Sequence, residues 1–166
     1  MSERANAEQR PVLIAYDGSE QAKAAIVEAG RVLDGGRRAV VLTVREPIEP
    51  YHFTGLGGAT TLDPATVSAM QEAVQNEATA IAEEGTRLAR EAGFSAEVRV
   101  GIAPSPWQEI VNVGDELDAA VIAIGSRGRT GISKVLLGSV ASAVAQHSRR
   151  SVLIVHPETA VETDRG

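Results

Sequence analysis

Apolar positions along the chain form short runs that alternate with longer segments of helical periodicity. The short runs predict five strands, at residues 12–16, 39–44, 96–100, 119–124 and 151–156. Between them, apolar residues recur at helical spacing, most clearly at Val67, Met70, Val74, Ile81 and Leu88. Strands that alternate with helices imply right-handed crossovers and a parallel sheet covered on both faces. We therefore predict a single α/β domain built on an open five-stranded parallel sheet.

Charges and turn residues refine this picture. The run at 119–124 carries no charge and is predicted to be central, whereas the run at 96–100 alternates charged residues with valines, as at a sheet edge. Residues 105–108, Ser-Pro-Trp-Gln, predict a helix start with a capping box. Residues 46–64 contain three prolines and three glycines. Long irregular segments inside compact domains are usually functional or mobile, so we interpret these residues as a loop within one crossover.

Composition narrows the class of protein. A chain of 166 residues fits one domain, which we place at residues 11–157 between polar, disordered tails at 1–10 and 158–166. The formal net charge of -6 argues against a general nucleic-acid surface. No apolar run approaches the roughly 20 residues that cross a bilayer, so we expect no membrane partner. The absence of cysteine excludes disulfides and suits a reducing compartment, so we expect a cytoplasmic protein.

The segment that carries chemistry is glycine-rich and lies at residues 125–138. It follows the uncharged strand directly and leads into a helix, and in open α/β sheets ligands bind beyond the carboxyl ends of strands. Glycines and a helix N-terminus favour anions, and Arg127, Arg129 and Lys134 add positive charge. A tight turn with solvated basic side chains would have the same residues. From the residues alone, anion binding and a plain turn remain equal alternatives.

Other sites are not supported by the sequence. The patterns G-x-x-x-x-G-K-[ST] and G-x-G-x-x-G are both absent, which disfavours a P-loop and a dinucleotide-binding turn. The histidines His52, His147 and His156 form no metal-ligand pattern, so we predict no metal held by protein side chains. We recognise no nucleophile with a base, so no catalytic residue is predicted. Trp107 is predicted to be a core residue, because its helical face is apolar.

The spacing of the glycines then makes a family resemblance specific. Gly125-x2-Gly128-x9-Gly138-Ser139 matches the ATP motif of the universal stress protein family, G-x2-G-x9-G-[ST]. Residues 12–19 (VLIAYDGS), 41–44, 101–104 and 151–157 resemble other parts of that family, in the same order. The resemblance implies an adenine-nucleotide alpha hydrolase-like, Rossmann-like fold with strand order 3-2-1-4-5 and helices on both faces. In that order the ends of strands one and four lie side by side.

The resemblance also implies a set of binding residues. Ala15 and Asp17 match residues that line the adenine and ribose pocket, Val44 matches a backbone contact to adenine, and Ile124 packs near the base. Matches to ribose and phosphate contacts are Gly125, Arg127, Gly128, Gly138, Ser139 and Val140. Many relatives have histidine in place of the first arginine of this turn, and arginine keeps the positive charge. Asp17 can also serve as a helix cap, as can Ser19.

The resemblance implies an ATP-binding regulatory module of the stress response. ATP would come with Mg²⁺ or Mn²⁺ held mainly by the phosphates. The implied partners are a second copy, paired through the fifth strand at residues 151–156, and an unidentified client protein. Two alternatives stay open: a slow ATPase, and a protein-interaction module whose role does not depend on nucleotide.

Overall fold

The computed structural model describes residues 10–33, 36–48, 63–128 and 137–156 of the chain. It has five strands: β1 (Val12–Ala15), β2 (Arg38–Arg45), β3 (Ser95–Ile102), β4 (Val121–Gly125) and β5 (Ser151–Val155). Between them lie four helices: α1 (Glu20–Val32), α2 (Pro64–Glu91), α3 (Pro106–Glu116) and α4 (Ser139–His147). Strands and helices alternate along the chain, which confirms the predicted α/β class.

The five strands form one parallel sheet in the order β3-β2-β1-β4-β5. β1 is central: Leu13 is paired with Val40 of β2 on one side and with Ile122 of β4 on the other. The chain adds strands on one side of β1 up to β3 and then crosses to the opposite side. The ends of β1 and β4 therefore flank the point where the strand order reverses, which is where open α/β sheets bind ligands.

Two apolar layers cover the sheet, because successive side chains of a strand point to opposite faces. Val12 and Ile14 of β1 pack with residues of α1 and α2, whereas Leu13 and Ala15 pack with residues of α3 and α4. All four side chains are buried, and so is every residue of β4. This burial on both faces explains why β1 and β4 are continuous apolar runs in the sequence.

Helix α2 is longer than the sheet it covers. It begins after Asp63, whose carboxylate accepts from the Thr66 N–H at 3.0 Å, and its 28 residues span about 42 Å. Its buried residues begin only at Ala78. The predicted helix is present, but in its first half Val67 and Val74 are only partly buried. The reason is length, since strands of at most eight residues span about 27 Å.

Two smaller predictions also need correction. Ser105 occupies the N-cap position of α3, but its side chain makes no capping hydrogen bond to any described residue, so the predicted capping box is wrong. The turn closes through the backbone instead, with the Glu109 N–H donating to the Ser105 carbonyl at 3.2 Å. β3 lies at an edge, as predicted. Its apolar face is only partly covered, because Val98 and Ile102 are 48% and 43% exposed.

Several predictions fall outside the described residues. These are most of the 46–64 loop, the tail at 158–166, and the positions of Arg129 and Lys134. The predicted N-terminal tail is described only at Arg10, whose Nε donates to the Asp118 carbonyl at 2.8 Å, which fixes it against the α3–β4 turn. Within the described ranges, no helix combines the length and the apolar character that a membrane span needs.

Candidate functional site

A cavity of about 430 Å³ opens at the carboxyl end of the sheet, between the ends of β1, β2 and β4 and the first turns of α3 and α4. All ten residues predicted for the site lie in its wall: Ala15, Asp17, Val44, Ile124, Gly125, Arg127, Gly128, Gly138, Ser139 and Val140. The sequence did not single out the other seven, which are Tyr16, Ala22, Leu42, Arg45, Pro106, Ile110 and Ala141. The volume falls within the range of small-molecule sites.

Asp17 begins the turn that closes β1. Its Oδ1 accepts from the Ser19 N–H at 2.9 Å, and the turn is completed by Gly18 at φ +84°, a conformation that favours glycine. Of the two predicted caps, Ser19 is the one used, because its Oγ accepts from the Ala22 N–H at 3.1 Å. The second carboxylate oxygen of Asp17 faces the glycine turn across the cavity, 3.0 Å from the point where a Cβ on Gly128 would lie.

The three motif glycines have different surroundings. A Cβ on Gly125 would lie 2.9 Å from the Gln21 carbonyl, so this glycine lets α1 pack against β4. A Cβ on Gly138 would lie 3.2 Å from the Ser126 carbonyl oxygen, which also accepts from the Gly138 N–H at 2.7 Å. Gly128 differs, because among the described atoms its Cβ would meet only the Asp17 carboxylate. Gly125 and Gly138 therefore allow close backbone approach within the turn, and Gly128 leaves room for the Asp17 carboxylate.

The first turn of α4 points donors at the cavity. Its N-cap is Gly138, so no side chain of the cap residue can accept from the first-turn N–H groups. Those of Ser139, Val140 and Ala141 have no acceptor within the helix, since helical bonding starts four residues in. The same three residues line the cavity. The positive end of the helix dipole adds to this, so the turn suits an anion.

Two arginines bring further unsatisfied donors. The Nε atoms of Arg127 and Arg45 are both buried, and neither has an acceptor among the described residues. Asp17 is the one acidic residue in the described wall. The described residues contain no group of three or more histidine or carboxylate side chains that could hold a metal ion.

Tyr16 is a wall residue of the cavity that is held in place by neighbouring elements. Its O–H donates to Glu84 Oε2 at 2.9 Å, and its ring packs against the Cα of Gly85 in α2. Burial of the ring, and then the Glu84 carboxylate beside the O–H, raise the pKa of the Tyr16 phenol far above its usual value. The Tyr16 carbonyl accepts from the Thr43 hydroxyl at 2.8 Å. Tyr16, the residue before Asp17, is thus hydrogen-bonded to both β2 and α2.

The opposite end of the cavity is mainly aliphatic, with Arg45 as its charged residue. Leu42, Val44, Ile110 and Ile124 contribute aliphatic walls from β2, α3 and β4. Trp107, beside this end on α3, joins the apolar layer only partly and stacks on His147 with ring centroids 4.7 Å apart. The prediction of a core tryptophan is thus only partly right. The whole site can hold a molecule with a flat apolar part at one end and an anionic part at the other.

An open parallel sheet in the order 3-2-1-4-5, with a glycine turn and a helix start without a side-chain cap at its switch point, defines a Rossmann-like α/β protein with a candidate ligand site. The model of the universal stress protein family matches residues 9–156. The chain belongs to the universal stress protein family, as its sequence predicted.

Individual relatives agree with this assignment. Universal stress protein YxiE of Bacillus subtilis is 30% identical over 154 residues, which cover 87% of this chain and 97% of YxiE. The solved structure of hypothetical protein MJ0577 superposes with a TM-score of 0.71 at 24% identity, covering 92% of this chain and 99% of that one. A universal stress protein crystallised in complex with cAMP gives a TM-score of 0.63 at 25% identity, covering 90% and 98%. The predicted fold is thereby confirmed.

Proposed function

We propose that this protein binds an adenine nucleotide, ATP above all, and acts as a nucleotide-dependent regulatory module of the stress response in the cytoplasm. The observation that carries the proposal is the pairing, within one cavity, of an apolar end with an end built from unsatisfied N–H donors. A nucleotide has the matching division into base and phosphates. The cAMP complex of a relative with 25% identity supports an adenine nucleotide as the ligand.

Different residues of the wall would contact the base, the ribose and the phosphates. Leu42, Val44 and Ile124 would pack against the base, and the Asp17 carboxylate would accept from ribose hydroxyl groups. The phosphates would lie at the first turn of α4, next to Gly128, with Arg127 supplying charge-assisted hydrogen bonds from its buried Nε–H. Because the positive groups are local, an acidic protein can still bind this anion.

The phosphates would also hold the metal ion. Mg²⁺ is commonly bound by substrate phosphates with few protein ligands, and Mn²⁺ accepts similar oxygen donors. In the described wall only Asp17 offers a carboxylate, and its Oδ1 already accepts from the Ser19 N–H. We therefore propose that metal binds with the nucleotide rather than before it.

A slow ATPase is the alternative that Asp17 favours, because it is a carboxylate near the proposed phosphate end. A general base has to approach the attacking water closely. The hydrogen bond to Ser19 holds Asp17 in the turn, so we propose at most weak hydrolysis. The third possibility is an interaction module whose role does not depend on nucleotide. It would supply no acceptor for the N–H donors of α4 and Arg127.

We also propose a homodimer formed through β5. This strand is paired with β4 on one side, and on the other side no described strand covers it. Val152, Leu153 and Ile154 are partly buried and carry no charge, and an unprotected apolar edge invites pairing with another chain. Antiparallel pairing of β5 with itself closes the assembly by a two-fold axis. The client protein that such a dimer would regulate is unidentified.

Calorimetry with ATP and Mg²⁺ tests the binding proposal directly. We expect one site per chain for the native protein, and no binding up to millimolar ATP would contradict the proposal. The matched variant is Gly128→Val, whose side chain would enter the space beside Asp17 and should abolish binding. Far-UV circular dichroism of the variant should match the native protein. Mass spectrometry of any nucleotide that co-purifies would identify the natural ligand.

A further inference from the structure

Arg45 is a charged wall residue that the family resemblance does not assign. It is the last residue of β2, next to Val44, and β1 separates it from the glycine turn after β4. Neighbouring strands are about 4.8 Å apart, so the end of β2 lies about 10 Å from the end of β4. Arg45 and Arg127 therefore belong to opposite ends of the cavity.

Among the described residues, the guanidinium of Arg45 has Glu77 as its hydrogen-bond partner, and its Nε–H has no acceptor. Its NH2 group donates to Glu77 Oε1 of α2 at 2.7 Å, and only 21% of its side chain is exposed. Its Nε–H is buried and finds no acceptor in the described part of the chain. A buried donor of a charged group without an acceptor is costly, so such an atom usually has a partner that is missing or bound only at times.

The surroundings indicate what that partner is. Leu42 and Val44 of the same strand line the cavity with Arg45, whereas Arg127 and the first-turn N–H groups of α4 belong to the other end. A ligand that contacts both arginines has to extend from the end of β4 to the end of β2, and these strand ends are about 10 Å apart. In a nucleotide whose phosphates lie at the glycine turn, the group that reaches towards β2 is the base, and a purine carries lone pairs on its ring nitrogens.

We propose that Arg45 is a specificity-determining residue that donates a hydrogen bond from Nε–H to a ring nitrogen of the bound purine, with Glu77 as the residue that positions its guanidinium. The inference rests on the proposed function, since it requires a nucleotide in the cavity. It goes beyond that function because it gives the base end of the site a charged donor that selects for an acceptor on the base.

The first experiment separates a contact to the base from general attraction between charges. Calorimetry would compare adenosine, AMP and ATP on the native protein, Arg45→Met and Arg127→Met. We expect Arg45→Met to weaken all three ligands by the same factor, about 10- to 100-fold, which is typical of a lost hydrogen bond to a charged group. Arg127→Met should leave adenosine unchanged and weaken ATP the most.

The second experiment locates the acceptor atom. We would measure 1-deaza-, 3-deaza- and 7-deazaadenosine, each of which lacks one ring nitrogen, on the native protein and on Arg45→Met. One analogue should bind the native protein about as weakly as adenosine binds Arg45→Met. The affinity of Arg45→Met for that analogue should be no lower than the affinity of the native protein for it. Arg45→Lys keeps the charge but lacks the planar guanidinium, so it should resemble Arg45→Met.

Control variants guard against a structural explanation. Arg38→Met removes a similar ion pair, with Glu97 at 3.2 Å, from the first residue of β2 and should leave every affinity unchanged. Glu77→Gln keeps an acceptor for Arg45, so it should reduce the affinity for adenosine less than Arg45→Met does.

Three results would overturn the inference. The first is a loss of affinity in Arg45→Met that grows with the number of phosphates on the ligand. The second is an equal loss of affinity for all three deaza analogues on both the native protein and Arg45→Met. The third is an unchanged affinity of Arg45→Met for adenosine. Failure of the native protein to bind any nucleotide would instead refute the proposed function, and the inference with it.

Discussion

A single methyl group added at Gly85 tests how α2 packs against Tyr16, a residue of the cavity wall. In an exposed helix interior, Gly→Ala normally stabilises by about 1 kcal/mol. At Gly85, however, a Cβ would lie 2.5 Å from Cδ1 and 2.7 Å from Cγ of the Tyr16 ring, whereas carbon atoms normally approach to about 3.5–4.0 Å. The ring would therefore have to shift by about 1 Å to accommodate alanine.

Tyr16 has little freedom to make that shift. The residue is 2% exposed, its N–H donates to the Leu42 carbonyl at 2.9 Å, and its O–H donates to Glu84. Overpacking of this kind costs about 1–3 kcal/mol, and weakening the Glu84 hydrogen bond costs about 1 kcal/mol more. Set against the helix-propensity gain, we expect Gly85→Ala to lower the free energy of unfolding by about 2 kcal/mol.

Urea unfolding followed by circular dichroism, at fixed protein concentration, gives this number. Gly114→Ala in α3 is the matched control. Its Cβ would lie 2.9 Å from Cδ1 at the flexible end of Ile122 and at an ordinary contact distance of 3.6 Å from Leu13 Cδ2, so it should change stability by less than about 1 kcal/mol. In a Tyr16→Leu background the Gly85→Ala penalty should largely vanish, as a double-mutant cycle would report. A neutral or stabilising Gly85→Ala in the native background would refute this account of the packing.

Three further predictions concern hydrolysis, assembly and pH. Purified protein should turn over ATP more slowly than about 1 s⁻¹, below the usual enzyme range, and faster turnover in a phosphate-release assay would favour the ATPase alternative. Light scattering should give twice the mass of one chain, falling to one chain for Ile154→Lys but not for Val98→Lys at the opposite edge. The hydrogen bond from Arg150 lowers the pKa of Asp118 in the folded protein. The Asp118 carboxylate therefore stabilises the folded state at pH values above the ordinary carboxyl pKa, and this stabilisation is lost as the pH falls through the lowered pKa. Asp118→Asn should therefore weaken the acid dependence of urea unfolding.

The sequence was sufficient to predict the fold and ten of the 17 residues in the described cavity wall. Continuous apolar runs specify strands buried on both faces, and alternation with helices requires a parallel sheet. Once β1 and β4 are neighbours, Asp17 and Gly128 must face each other, because each lies just beyond the carboxyl end of its strand. Their contact with a nucleotide remains a prediction.

Contacts between distant parts of the chain could not be predicted from local patterns. Arg45 looks like any solvated arginine at a strand end, and its role depends on Glu77, 32 residues later. The packing of Tyr16 on Gly85 joins β1 to α2 in the same way. Helical periodicity also continued through Val67 and Val74 although the sheet ends beneath them. Periodicity describes which side chains share a face, but not how far the neighbouring layer extends.

The motif glycines show how one sequence signature combines two physical requirements. Gly125 and Gly138 approach backbone atoms of the protein itself, so a side chain at either position would disturb the turn before any ligand arrives. All three glycines line the cavity, but among the described atoms only a Cβ on Gly128 would meet a side chain, the Asp17 carboxylate, rather than backbone. A valine at Gly138 would thus remove binding by displacing α4 from the Ser126 carbonyl, and loss of binding there would not identify a ligand contact. Gly128 is the position where steric exclusion of the nucleotide can be measured without rebuilding the turn.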